Sequence, residues 1–167
     1  MADIGLFVVH DDSVASERAV EYIARFVGRR SGFHIYLVHV LPPLPDELLE
    51  HGGAENPGKE SRIGASLRAQ QHKWISDAKK SAKPCLKKAN AVLQRAGIPK
   101  GAIRALFCEV GENQDAADTI LSGAREFKCH TIIIGRESVS WFHELLSQEL
   151  PEELLRRGKG FSIWIIE

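Results

Sequence analysis

The sequence predicts an α/β protein: a five-stranded, mostly parallel sheet between two helical layers, a three-layer α/β/α sandwich. Three observations carry this. Short apolar runs rich in β-branched residues recur along the chain. Between them lie stretches whose apolar residues fall three or four apart, the helical period. The two kinds alternate as β-α-β-α-β-α-β-α-β, which calls for right-handed crossovers and parallel neighbours.

The first run, Ile4 to His10 (IGLFVVH), is apolar on both sides, as suits a strand buried on both faces of a sheet. It ends in Asp11-Asp12-Ser13. Val20, Ile23, Ala24 and Val27 then make a helix face; Gly28 or Gly32 can end that helix, and Arg29 and Arg30 suit its last turn. Phe33 to Val40 (FHIYLVHV) is the second strand, stopped by Leu41-Pro42-Pro43-Leu44-Pro45, since proline cannot donate to a ladder. Residues 41–60 form a Pro/Gly-rich loop with a helical turn expected at Asp46–Glu50. From about Ser61 to Ala96 the chain reads helical, with Ile75, Ala78, Ala82, Leu86, Ala89 and Leu93 in one stripe. Pro84 lies inside that stripe and is expected to kink or divide the helix. Gly97-Ile98-Pro99 ends it. Ile103 to Val110 is the third strand, Asn113 the expected N-cap, and Ala116, Ala117, Ile120, Leu121 and Ala124 the next helix face. Thr131 to Ile134 is a fourth strand stopping at Gly135, residues 142–157 read helical with a restart at Pro151, and Phe161 to Ile166 is the last strand.

The length, 167 residues, suits one domain over 1–167, within the usual range of roughly 100–200 residues. Lys and Arg number 22, as do Asp and Glu. A formal charge of zero argues against gripping nucleic acid or an anionic membrane by bulk electrostatics, though it leaves room for a local basic patch. No apolar run approaches the roughly 20 residues of a membrane span. Met1-Ala2-Asp3 leads straight into a strand without a basic segment before it, so no signal peptide is expected. Cys85, Cys108 and Cys129 are odd in number and widely spaced, which fits neither a disulfide framework nor a zinc ribbon and points to a reducing cytoplasm.

In an open parallel sheet, ligands sit beyond the carboxyl ends of the strands, at the switch point in strand order. That rule brings together Asp11-Asp12-Ser13, Val40 to Pro43, and Gly135-Arg136-Glu137-Ser138. Ser13 and Ser16 read as capping and helix-start residues, because a nucleophile needs a paired base and none is visible. Gly53 to Lys59 matches a phosphate-binding loop for seven positions, but Glu60 stands where Ser or Thr would hold magnesium, and no strand precedes it. The seven histidines show no metal-site spacing; His10 and His39 end neighbouring strands and flank the cleft. Cys129 and His130 are adjacent in extended chain and face opposite ways, so they are no nucleophile–base pair. No catalytic or metal-ligating set emerges. Arg136 stands where an anion would be met, with Trp141 and Phe142 after it. Lys79, Lys80, Lys83, Lys87 and Lys88 make a basic helix face, read as solvated.

HDDSVASERAV (His10 to Val20) is similar to the opening motif of the universal stress proteins. HIYLVHVLPP resembles their second strand, and VGENQDAADTILSGAREFKCHTIIIG their third helix and fourth strand. The resemblance implies a Rossmann-like, adenine-nucleotide-hydrolase-like fold. It also implies a cytoplasmic location and a homodimer paired through the C-terminal strand, here Ser162, Ile163, Trp164, Ile165 and Ile166. Many members bind ATP. Adenine lies near the Asp after the first strand, which is Asp11 here, and near the backbone at the second strand's end, which is Val40. The phosphates lie in a G-x2-G-x9-G-[S/T] loop. Gly135 matches the first glycine; Ser138 replaces the second, and Gln148-Glu149 stand where Gly-Ser is expected. Glycine lets backbone N–H groups approach phosphate closely, whereas Gln148 adds bulk and Glu149 a like charge. A repulsion of even ~1.4 kcal/mol lowers affinity tenfold. Ligand-cleft candidates are therefore Asp11, Ser13, Val40, Gly135, Arg136, Ser138, Gln148 and Glu149. The expectation is a non-catalytic stress-response dimer without a cofactor, open to an unknown protein partner. The alternative is a member that binds, or slowly hydrolyses, ATP with Mg²⁺. An adenylating enzyme would carry an SGGxDS or HxGH signature, which His10-Asp11-Asp12-Ser13 is not.

Overall fold

The computed structural model describes residues 3–49, 57–111, 113–136 and 150–167. Its strands are β1 (Ile4–Val9), β2 (Phe33–Val40), β3 (Ile103–Cys108), β4 (Thr131–Gly135) and β5 (Ser162–Ile166). Its α-helices are α1 (Val14–Val27), α2 (Pro57–Arg95), α3 (Ala116–Glu126) and α4 (Leu150–Arg157). The strands form one sheet in the order β3-β2-β1-β4-β5. Every pairing is parallel, with Val9 opposite Val38 and Gly135 opposite Ile166.

Both faces of the sheet are covered. Leu6, Val8, Ile35, Leu37 and Ile133 point to one side, under Ala19, Val20 and Ile23 of α1 and Leu86, Ala89 and Leu93 of α2. Phe7, Val9, Val38, Val40, Ile132 and Ile134 point to the other, under Ala117, Ile120 and Leu121 of α3 and Leu150 and Leu154 of α4. Neighbouring residues of β1 thus bury on opposite faces, which is why its sequence is a continuous apolar run. The three-layer Rossmann-like sandwich is the one the sequence predicts.

Ser13 caps α1, its side chain accepting from the Ser16 N–H at 3.1 Å. Gly28 ends α1 at φ 51°, so Arg29 and Arg30 lie past the helix and Arg25 occupies its last turn. Three other expectations need correction. Asp115, and not Asn113, caps α3: Asn113 takes a left-handed turn conformation (φ 57°), and the Asp115 carboxylate accepts from the Asp118 N–H at 2.9 Å. β3 stops at Cys108, two residues early. Pro84 does not divide α2, which runs as one 39-residue helix. Ala82, Cys85, Leu86, Ala89 and Leu93 are buried on either side of it, and their packing outweighs one lost backbone hydrogen bond. The expected turn after Pro45 is a 3₁₀ turn over Asp46–Leu48. Of the helix expected at 142–157, residues 142–149 lie outside the described residues.

Candidate functional site

Strand order reverses between β1 and β4, so the crevice beyond their carboxyl ends is where this fold places a ligand. One wall is His10 to Ser13, which joins β1 to α1. The Asp11 carboxylate is turned toward the helix start: Oδ1 accepts from the Ser13 N–H at 3.0 Å and from the Ser16 hydroxyl at 2.7 Å. It thereby closes an Asx-turn that aims the first N–H groups of α1. The opposite wall is Gly135 and Arg136. A Cβ at Gly135 would stand 2.3 Å from the Ala15 carbonyl carbon and 2.7 Å from the Ser16 nitrogen. Here glycine serves a backbone-to-backbone approach: the end of β4 lies against the first turn of α1, and any side chain would push the two apart.

Arg136 is carried away along β5. Its N–H donates to the Ile166 carbonyl at 2.8 Å. Its guanidinium meets Glu167 through Nε at 2.9 Å and Glu152 through Nη1 at 3.4 Å. Two carboxylates therefore offset the one cation that the sequence put at the anion position. Val40 is buried at the end of β2, and the next residue, Leu41, donates its N–H to the Cys108 carbonyl at 2.9 Å. Ser138, Gln148 and Glu149 lie outside the described residues, as do Glu137, Trp141 and Phe142.

His39 and His10 meet beneath this crevice. His39 Nδ1 lies 2.9 Å from the His10 carbonyl, and its ring packs edge-on to Phe107. His10 is only 3% exposed, and its Nδ1 has no hydrogen-bond partner among the described residues. It borders a small cavity of about 60 Å³ between α1 and α2, beside the ion pair of Glu17 and Lys88. Burial holds its pKa below the ordinary value; a hydrogen bond to the Ser16 backbone and the nearby Asp11 work the other way.

The sequence did not point to Cys85 as a neighbour of the crevice. Burial, and then a hydrogen bond to Asp12, push its thiol up to about 12. Burial also raises Cys108 and Cys129 to about 11. All three are thiols at neutral pH, poor nucleophiles and poor metal ligands as they stand. No local signal links Cys85 to Asp12, since 73 positions apart in the chain they meet only through the sheet's crossovers. On the basic face of α2, Lys79 pairs with Glu109 at 2.5 Å and Lys88 with Glu17, while Lys80, Lys83 and Lys87 are exposed. No helix among the described residues is long and apolar enough to cross a membrane.

The family model described as the universal stress protein family matches residues 6–159. The chain belongs to that family. Among solved structures, this universal stress protein is similar to a family member from Burkholderia pseudomallei, with a TM-score of 0.59 and 18% identity over 97% of this chain and 94% of that one. A universal stress protein in complex with cAMP superposes with a TM-score of 0.62 at 18% identity, covering 100% of this chain and 99% of the other. A third, from Archaeoglobus fulgidus in complex with dAMP, gives 0.55 at 18% identity, covering 100% of both chains. No curated protein sequence matches the chain.

Proposed function

We propose that this universal stress protein is a non-catalytic regulatory protein of the cytoplasm, acting as a homodimer through β5, with ATP binding weak or absent. The observation that carries the reading is the replacement of the phosphate-loop glycines. Ser138, Gln148 and Glu149 stand where bare backbone and a hydroxyl would cradle a triphosphate. Arg136 strengthens it, because Glu152 and Glu167 already share its charge. Beside the crevice, burial and Asp12 push the Cys85 thiol up to about 12, and the Asp11 carboxylate already accepts from the Ser13 N–H and the Ser16 hydroxyl, which supports a structural role for these groups over a catalytic one. For the dimer, the support is that β5 lies at the edge of the sheet, where unpaired strand groups invite a second copy.

The second reading is a nucleotide-binding or slowly ATP-hydrolysing member using the same crevice. Asp11 and Val40 stand at the ends of adjacent strands, the positions the family resemblance gives to adenine. Two structural relatives are complexes with cAMP and with dAMP. Neither ligand carries a β- or γ-phosphate, so a monophosphate would make less demand on the altered loop.

Isothermal titration separates the readings. The wild-type protein is expected to show no micromolar binding of ATP with Mg²⁺. The triple variant Ser138→Gly, Gln148→Gly, Glu149→Ser is expected to gain at least about tenfold in ATP affinity. Micromolar ATP binding by the wild type, or identical binding by both proteins, overturns the proposal. Micromolar binding of cAMP or dAMP without ATP supports the second reading in its monophosphate form.

A further inference from the structure

We propose that the amino-terminal end of the sheet, opposite the crevice, holds a second anion site that takes a small phosphorylated molecule. A pocket of about 360 Å³ lies there, lined by Arg125, Lys128, Cys129, His130, Lys159 and Phe161 among others, with no carboxylate among the described residues of its wall. Three separate stretches of chain build it. Arg125 comes from the last turn of α3, Lys128 to His130 from the turn into β4, and Lys159 to Phe161 from the turn into β5.

The walls are fixed by the backbone. The Ser162 N–H donates to the His130 carbonyl at 2.8 Å, which ties the two turns together. The Cys129 N–H donates to the Ala124 carbonyl at 2.8 Å, and the Cys129 side chain is buried as the pocket floor. The Arg125 guanidinium lies over the Phe161 ring, 5.4 Å from its centroid, an arrangement that leaves its fork of N–H donors available while limiting its freedom.

Among the described residues the charges are uncompensated. Arg125, Lys128 and Lys159 form no ion pair among the described residues. Elsewhere Arg157 takes Asp115 and Asp118, Lys79 takes Glu109 and Lys88 takes Glu17. In a chain of zero formal charge, three cations around one concavity make a local positive field with nothing in the pocket wall to answer it. Lys128 also sits at φ 54°, a left-handed conformation that glycine adopts with less strain. The side chain at that position is an exposed cation that lines the pocket. Fork-like guanidinium donors and ammonium groups together are the chemistry that recognises phosphate. The volume suits one phosphate group with a small organic body, not a nucleic-acid strand, which would need a continuous basic groove.

The test is an amide-resolved NMR titration of the full chain with inorganic pyrophosphate at low salt. Shift changes are expected at Lys128 to Thr131 and Lys159 to Ser162, weakening as salt is added. Lys128→Glu with Lys159→Glu is expected to weaken pyrophosphate binding at least about tenfold. Lys80→Glu with Lys83→Glu, the same charge change on α2, is expected to leave it unaltered. Lys128→Gly keeps or raises thermal stability while lowering the affinity, which separates the site from the fold. The proposal fails if those amides do not move, if neither Lys128 variant changes the affinity, or if the α2 variant loses as much. Shifts confined to Asp11 to Ser13 or Gly135 place pyrophosphate in the crevice and overturn the proposal, while the nucleotide reading is judged by its own titration.

Discussion

His10 shows what one residue's placement does to the energetics of the whole chain. Burial lowers its pKa in the fold; the Ser16 carbonyl, Asp11 and Glu17 favour its charged form, and His39 on β2 opposes it. In the unfolded chain the imidazole takes up a proton as pH falls through about 6.5. The folded form resists until a lower pH, so the unfolded state binds more protons in between and stability drops there. Unfolding free energies from urea denaturation are therefore expected to be level well above pH 6.5 and to fall as pH drops through it, by up to about 1.4 kcal/mol per pH unit from this group. His10→Gln is expected to flatten that slope. An equal slope in both proteins removes His10 as its source. The capping role of Ser13, the place of Ser16 in the first turn of α1 and the turn role of Asp11 were readable locally, because their partners lie a few residues away. The depth of His10, the partners of Arg136 and the contact between Cys85 and Asp12 were not, since each depends on chain distant in sequence.

At the scale of elements, α2 carries the largest disagreement between local propensity and outcome. Proline inside a helix removes one backbone hydrogen bond and crowds the preceding turn, at a cost of about 3 kcal/mol. α2 nevertheless continues through Pro84, because the turns on both sides bury Ala82, Cys85, Leu86, Ala89 and Leu93 against the sheet and α1. The exposed Pro84 is not part of that buried stripe. Pro84→Ala is thus expected to stabilise the protein, by about 1–3 kcal/mol in urea denaturation. A neutral or destabilising result would mean that the ring's own packing matters more than the lost hydrogen bond. The strands themselves were legible from their apolar runs to within two residues at each end. Ends were less so: the Asp115 cap of α3 is chosen by an acceptor aimed at Asp118 and by a bond to Arg157 from α4. The second of those cannot be seen from the helix's own sequence.

For the whole molecule, strand order governs what is left open. β5 ends the sheet beyond β4, and Trp164 on it packs edge-on against Tyr22 and Phe26 of α1. Tyr22 and Phe26 are themselves among the exposed large hydrophobic residues. If a second copy extends the sheet there, sedimentation at micromolar concentrations will give a dimer. Ile165→Lys, checked for its fold by circular dichroism, is expected to raise the dissociation constant at least about tenfold. A wild-type protein that sediments as a monomer throughout that range removes β5 as a dimer strand.

The order of strands and helices, their apolar faces and the family all follow from residues close together in the chain. Periodicity, caps and short motifs are local properties, so they survive without a fold. What the three-dimensional arrangement alone settled is which distant groups meet. It set β5 at the edge, drew Arg136 to Glu152 and Glu167, sank His10 between α1 and α2, and gathered Arg125, Lys128 and Lys159 around one pocket. Crossover connections make such neighbours out of residues tens of positions apart, and burial and Coulomb forces depend on distance in space, not along the chain.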